Sequence, residues 1–184
     1  MQSQLMNYFH KLLTPQQYGF RPNLSTELAA VELMDRNIHI MKTKNTPINI
    51  FLDLSKAFDS LDHDILLSKL KFDGLQKQAL VLMKSYLLGR HQVVQINDAK
   101  SSIHKVLYGI PQGSVMGPLL FNIFINDITK ASTILKLVMY ADDTTLVTSI
   151  ENFGPITEPG TVENALNDEI DKISHWLLMR TNLC

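Results

Sequence analysis

Asp142 and Asp143 stand side by side between two apolar runs, Leu135 to Tyr140 and Thr144 to Ile150. Each run is rich in β-forming residues and short enough to be a strand. Consecutive side chains along a strand point to opposite faces, so two neighbouring acids can converge only where the chain bends. The pair is therefore predicted at the tip of a hairpin. Like charges this close repel one another, more so when buried, and a divalent cation is the usual remedy. Acids holding two metal ions on an apolar scaffold are equipment for phosphoryl transfer. The bland alternative is a solvated turn, for which Asp is equally suited.

A second acidic element lies far upstream, in INIFLDLSKAFD (Ile48 to Asp59). Ile48, Ile50, Phe51, Leu52 and Leu54 form a nearly continuous apolar run, as expected of a strand buried on both faces. Asp53 interrupts it, and a carboxylate inside such a run is costly unless paired or bound to metal. Alternatively, Asp53 or Ser55 caps a short helix through Phe58. Between the two acidic elements lies GIPQGSVMGP (Gly109 to Pro118). Its glycines and prolines specify a tight loop leading into an apolar helix, a geometry that lets backbone N–H groups approach a phosphate or base. It matches neither the Walker pattern nor the dinucleotide fingerprint.

In this order, FLDLSKAFD, GIPQGSVMGPLLFNIFINDI and YADDTTL resemble the three palm motifs of reverse transcriptases, most nearly those of non-LTR (LINE-type, jockey-like) retrotransposons. Upstream, QYGFRPNLSTELA (Gln17 to Ala29) is similar to that family's fingers motif. The resemblance covers nearly the whole chain. It implies that Asp53, Asp142 and Asp143 are the catalytic metal-binding acids, with the Leu54 carbonyl as a further metal ligand. It implies two Mg²⁺ ions, Mn²⁺ being possible, and an RNA template, a DNA primer and a dNTP as partners. Phe58 matches the aromatic gate against a ribose 2′-hydroxyl. Gln112 and Gly113 match the loop supporting incoming nucleotide and template, Arg21 a fingers arginine near the triphosphate, and Tyr140 the aromatic beside the acidic pair.

Without the resemblance, Phe58 reads as an ordinary core aromatic, Arg21 as a surface arginine and Gln112 as a turn residue. Asp59, Asp62 and Asp64 read as solvated or capping, since Asp62 precedes a helical pattern. Trp176 reads as core. The competing functions are an inactive remnant that only binds RNA or protein, and an RNA-directed RNA polymerase, which a bulky Phe58 disfavours.

The chain's 184 residues suit one domain, or one domain with a small annex. Hydrophobic residues make up 45% and charged residues 19%, an ordinary globular mix that argues against disorder. The lone cysteine, Cys184, excludes an internal disulfide and suggests a reducing, intracellular setting. No apolar run approaches the roughly 20 residues that cross a bilayer, so no membrane partner is expected, and the N-terminus is unlike a secretory signal. The net charge of −1 is unusual for a nucleic-acid binder. A missing duplex-gripping part would explain it, because the chain stops before the family's lysine motif and thumb. The endonuclease domain that the resemblance implies for many such elements is likewise not expected within these residues. A chain of this extent is expected to fold yet polymerise poorly by itself, and to expose apolar surface around Trp176, Leu177 and Leu178. Arg90, His91, Lys100, His104 and Lys105 could form a modest basic patch, or simply a solvated strand edge.

Local patterns predict helices over Ser3 to Leu13, Ser25 to Lys42, Asp64 to Lys71, Gln76 to Leu88 and Leu119 to Ile128, and one from Thr161 onward. The second would bury Leu28, Val31, Met34, Ile38 and Met41. Tyr18 to Asn23 reads as loop, Gln92 to Ile96 and Ser102 to Tyr108 as a hairpin turning at Asn97-Asp98, and Asn152 to Gly160 as linker. The order of elements predicts an α+β domain, an antiparallel sheet with helices on one face. That suits a right-hand polymerase palm with a ferredoxin-like core (47–184, C-terminally truncated), preceded by partial fingers (1–46) and lacking a thumb.

Overall fold

The computed structural model describes residues 2–154 and 160–180. Six α-helices and seven strands follow one another along them: α1 (Gln2–Phe9), α2 (Thr26–Lys42), β1 (Pro47–Leu52), α3 (His63–Phe72), α4 (Lys77–Leu87), β2 (His91–Gln92), β3 (Gln95–Ile96), β4 (Ala99–Lys100), β5 (His104–Lys105), α5 (Gly117–Ile125), β6 (Lys136–Tyr140), β7 (Asp143–Ser149) and α6 (Thr161–Leu178). Pro155, Pro159 and Cys184, on which the linker and disulfide readings partly rest, lie outside the described residues.

The main sheet is antiparallel with order β1-β7-β6. Its core face carries Leu137, Met139 and Leu146, which pack with the helices: Leu66 and Leu70 from α3, Met83 and Leu87 from α4, most of α5, and Ile173 and Trp176 from α6. α5 is apolar on every side but for Asn122 and is buried along nearly its whole length, as such a helix must be. The opposite face is covered only in part, by Ala29, Leu33 and Ile40 of α2 over Val138, Val147 and Tyr140.

Helix starts follow local chemistry. The Ser25 hydroxyl accepts from Leu28 N at the head of α2, and the Asp62 carboxylate accepts from Asp64 N and Ile65 N at the head of α3. Each satisfies N–H groups that the first turn leaves unpaired.

Several expectations need correction. The α2 stripe Leu28, Val31, Met34, Ile38 and Met41 is 39–62% exposed and faces away from the sheet. The helix carries two overlapping apolar stripes, and its own sequence does not say which one the sheet takes. β1 is an edge strand, not one buried on both faces, and Phe51 is 73% exposed. The predicted second hairpin forms in two pieces: β3 pairs with β4 around Asn97-Asp98, and β2 pairs with β5. A short, exposed ladder of this kind has little packing to hold one long register. Residues 55–59 make turns rather than a capped helix.

Trp176 is core, as expected, but also a cation platform. Lys69 Nζ lies 5.0 Å from its ring centre and the Arg180 guanidinium 4.8 Å. Lys69 donates to Asp127, and burial holds its ammonium below the ordinary lysine value despite that partner. Beside this cluster Leu178, Met179 and Phe72 are exposed. Of the apolar surface expected around Trp176, Leu177 and Leu178, Leu178 alone is exposed: Trp176 is buried and Leu177 packs partly buried against the core. Among the described residues no helix is long and apolar enough to cross a membrane.

Candidate active site

The register of the main sheet unites the two acidic elements. Leu52, the last residue of β1, pairs with Thr144 of β7, and Tyr140 pairs with Asp143 across the β6–β7 turn. Asp53 therefore leaves β1 at the sheet end where Asp143 begins β7 and where Asp142 occupies the turn. Strand alternation puts Asp143 on the same face as Thr145, Val147 and Tyr140. Asp53 and Asp143 are exposed and Asp142 is half-buried. The burial penalty expected for Asp53 does not arise, because the residue sits just beyond the strand.

Three carboxylates are hard oxygen donors, the kind Mg²⁺ and Mn²⁺ take. The donor set fits such a cation in kind. Among the described residues, no three His, Cys, Asp or Glu side chains already stand close enough together to hold a metal ion. The Leu54 carbonyl accepts from Ala57 N at 3.2 Å, and a carbonyl oxygen has a second lone pair to offer.

Phe58 is half-buried. Its ring stacks on Phe121 of α5 (4.6 Å, 21°) and meets Phe20 edge-on (6.1 Å, 82°). It thus lies in an aromatic row running from the core toward the segment that touches the acidic turn. The glycine loop is pinned to the chain just after it: Ile110 N donates to Phe58 O and Gly109 N to Leu61 O, while His63 Nε2 donates to Gly109 O at 2.6 Å. Gly109 has φ +78°, and a Cβ there would come within 2.7 Å of the Asp59 backbone, so both conformation and space demand glycine. Gly113 is held by conformation alone, at φ +73° in open surroundings. Gln112 Nε2 donates to both carboxylate oxygens of Asp59 at 3.0 Å, joining the loop to the Asp53 segment.

Arg21 is half-buried and tied to the backbone through one terminal nitrogen. Its Nη1 donates to the carbonyls of Thr14 (2.6 Å) and Gln17 (3.2 Å), its Nε is buried without a partner, and burial draws its guanidinium below the ordinary value. Tyr140 is half-buried against the Ala29–Val138–Val147 cluster.

The sequence reading missed Gln17, Gly19 and Asn122, and undervalued Asp59. Gln17 bridges Met139 in parallel on the outer edge of β6, and Tyr18, expected to begin a loop, donates its N–H to Met139 O. Gln17 is buried and bonds the backbone of Ala141, and Asn122 Nδ2 donates to Gly19 O. No local pattern marks them, because their burial and their partners appear only once the fold closes.

Residues 1–177 match the family described as reverse transcriptase (RNA-dependent DNA polymerase). The chain is 29% identical over 167 residues to the RNA-directed DNA polymerase from mobile element jockey of Drosophila melanogaster, covering 87% of this chain and 18% of that protein. It is 35% identical over 136 residues to the probable RNA-directed DNA polymerase from transposon X-element of the same organism, covering 71% of this chain and 15% of that protein. The chain thus spans less than a fifth of the length of these curated relatives. Among solved structures, apo telomerase from Candida tropicalis superposes with a TM-score of 0.64 at 15% identity, over 98% of this chain and 34% of that one. Telomerase from Candida albicans, in complex with a fragment of telomeric RNA, gives 0.63 at 13% identity, over 90% and 31%. At such identities these likenesses speak for the fold alone.

Proposed function

We infer, from a chain that belongs to the reverse transcriptase (RNA-dependent DNA polymerase) family, that it is the polymerising core of a mobile element's RNA-directed DNA polymerase. The reaction is addition of a deoxynucleotide to a primer 3′-hydroxyl under direction of an RNA template. The observation that carries this reading is the register placing Asp53 at the sheet end that holds Asp142 and Asp143. The names of the mobile-element relatives support it.

Asp53, Asp142, Asp143 and the Leu54 carbonyl would hold two Mg²⁺ ions, or Mn²⁺. Such ions activate the attacking hydroxyl and neutralise charge on the leaving group. The protein's own part is position and charge, since phosphoryl transfer needs no covalent intermediate on the enzyme. Phe58, backed by Phe121, presents a rigid edge to the sugar and excludes a 2′-hydroxyl. Gln112 and Gly113 carry the nucleotide and template side of the site, and Tyr140 lies beside the primer end. Arg21, its Nη1 tied to backbone carbonyls, brings positive charge near the triphosphate. We assign 1–46 to partial fingers and 47 onward to a palm with a ferredoxin-like sheet. The rest of the parent protein supplies the thumb and endonuclease, and the setting is intracellular.

The test is primer extension on an RNA template by this chain and by a longer chain carried through the thumb of the parent protein. The longer chain extends the primer, the short one hardly at all. Asp142→Asn lowers extension by at least about 100-fold, the scale of losing a charge-stabilising group in a site, and leaves the melting temperature near wild type. Phe58→Ala raises ribonucleotide use relative to deoxyribonucleotide. Extension that survives Asp142→Asn and Asp53→Asn would refute the reading, as would RNA binding with no extension by the longer chain.

A further inference from the structure

The acidic turn is gripped from outside its own hairpin. Ala141, just before Asp142, is buried and has φ +58°, a left-handed conformation that non-glycine residues avoid. Its N–H donates to Gln17 Oε1 at 2.9 Å, and its carbonyl accepts from Gln17 Nε2 at 3.1 Å. One carboxamide satisfies both backbone groups of the strained residue. The same Oε1 accepts from Gly19 N at 2.8 Å, and Gln17 is itself 1% exposed.

The grip is anchored on three sides. Tyr18 N donates to Met139 O and Met139 N to Gln16 O, at 2.8 and 2.9 Å, tying the segment to the edge of β6. Asn122 of α5 donates to Gly19 O at 2.9 Å. A Cβ on Gly19 would lie 2.2 Å from Ala141 N, so the two backbones touch with no room between them. A carboxamide offers an acceptor to two N–H groups and a donor to a carbonyl from one planar group. A carboxylate would set its second oxygen against the Ala141 carbonyl, and an apolar chain would leave buried groups unpaired.

We propose that Gln17 is the positioning residue of the acidic turn, its carboxamide holding Ala141 in the left-handed conformation that places Asp142 and Asp143 at the end of the sheet. Segment 16–19 and the acids then move as one body. The consequence for metal affinity rests on the function proposed above, whereas the grip itself does not.

The test is amide hydrogen exchange resolved by residue, with Mn²⁺ binding followed by electron paramagnetic resonance of the free ion, on the 184-residue chain. In wild type the Ala141 amide is protected. In Gln17→Met, similar in length and unable to bond, exchange at Ala141 rises about tenfold relative to Leu146, the scale of one hydrogen bond. The Mn²⁺ midpoint rises by about 10-fold or more, as when an outer-shell partner of a metal site is lost. Leu66→Ala, in the distant α3 core, serves as the stability control: it lowers the melting temperature without moving the Mn²⁺ midpoint. Should Gln17→Met not fold, Gln17→Glu carries the test on exchange alone: it keeps the acceptor for Ala141 N but sets its second oxygen against the Ala141 carbonyl, so exchange at Ala141 rises above wild type. Unchanged protection of Ala141 overturns the proposal, and so does faster exchange with an unmoved midpoint. Failure of wild type to bind Mn²⁺ would count against the proposed function, and the grip would then be judged on Ala141 exchange alone.

Discussion

Two hairpins in this chain turn at an acid, and they are held in opposite ways. In β3–β4 the turn is Asn97-Asp98, and Asn97 has φ +53°. Asn tolerates that conformation well, and the side-chain bond to this turn is local, from Gln95 Nε2 to Asn97 O. The paired residues are exposed on both strands. In β6–β7 the same left-handed position is filled by Ala141, a residue poorly suited to it. There the bonds come from Gln17, some 124 residues away, and the ladder behind the turn is mostly buried. One turn is made by its own residues; the other is imposed by the fold. Strained backbone that persists because its surroundings over-determine it is typical of sites, and the imposed turn carries the candidate acids.

The contrast is broken most severely in the buried ladder. Leu146→Ala, at a fully buried position of the central strand, should cost about 2–5 kcal/mol in chemical denaturation. Ile96→Ala in the exposed hairpin should stay within about 0.5 kcal/mol. Comparable losses at the two sites would mean that the short hairpin is also a packed element.

Gly19→Ala comes next. The added methyl overlaps Ala141 N, so either the segment or the turn must shift, at about 1–3 kcal/mol for overpacking. Thermal melts measure it, with Gly113→Ala as the companion, where only φ resists and the cost should be nearer 1 kcal/mol. If the two are equal, the close approach is not what restricts residue 19.

A finer measure is to relieve the strain. Ala141→Gly removes a left-handed alanine and should stabilise by up to about 1 kcal/mol, whereas Asn97→Gly should be close to neutral. Destabilisation by Ala141→Gly would show that the grip leaves no strain at that residue.

The smallest effect lies at the root of the held hairpin. The Ser132 hydroxyl donates to the buried Glu169 carboxylate at 2.5 Å and accepts from Ile134 N and Leu135 N, just ahead of β6. Bonds from Lys172 and then Ser132 hold Glu169 below the ordinary carboxylate value. A lowered folded value means that the contribution is full above pH 4.5, the ordinary value, and is lost as pH falls through the folded one. Melts of wild type should therefore fall more steeply than those of Glu169→Gln on acidification below that pH. Parallel curves would remove Glu169 as a brace.

Local chemistry was legible in the sequence itself. Ser25 and Asp62 cap their helices as expected, the β6–β7 hairpin turns at the acids, and the motif order points to the family, because caps, turns and strand patterns depend on residues a few positions apart. Asp53, Asp142 and Asp143 were nominated the same way, and the register then set their strands side by side. What only the tertiary structure decided is how distant pieces compete for partners. Which stripe of α2 meets the sheet depends on the sheet, and Ala29, Leu33 and Ile40 take that place while Met34 stays 62% exposed. Phe51 looks like core by composition, yet an edge strand leaves it open. Gln17 and Asn122 resemble ordinary polar residues until the fold closes around them. A buried donor or acceptor must find a partner, and for Gln17 that partner is a turn whose distance along the chain no local pattern records.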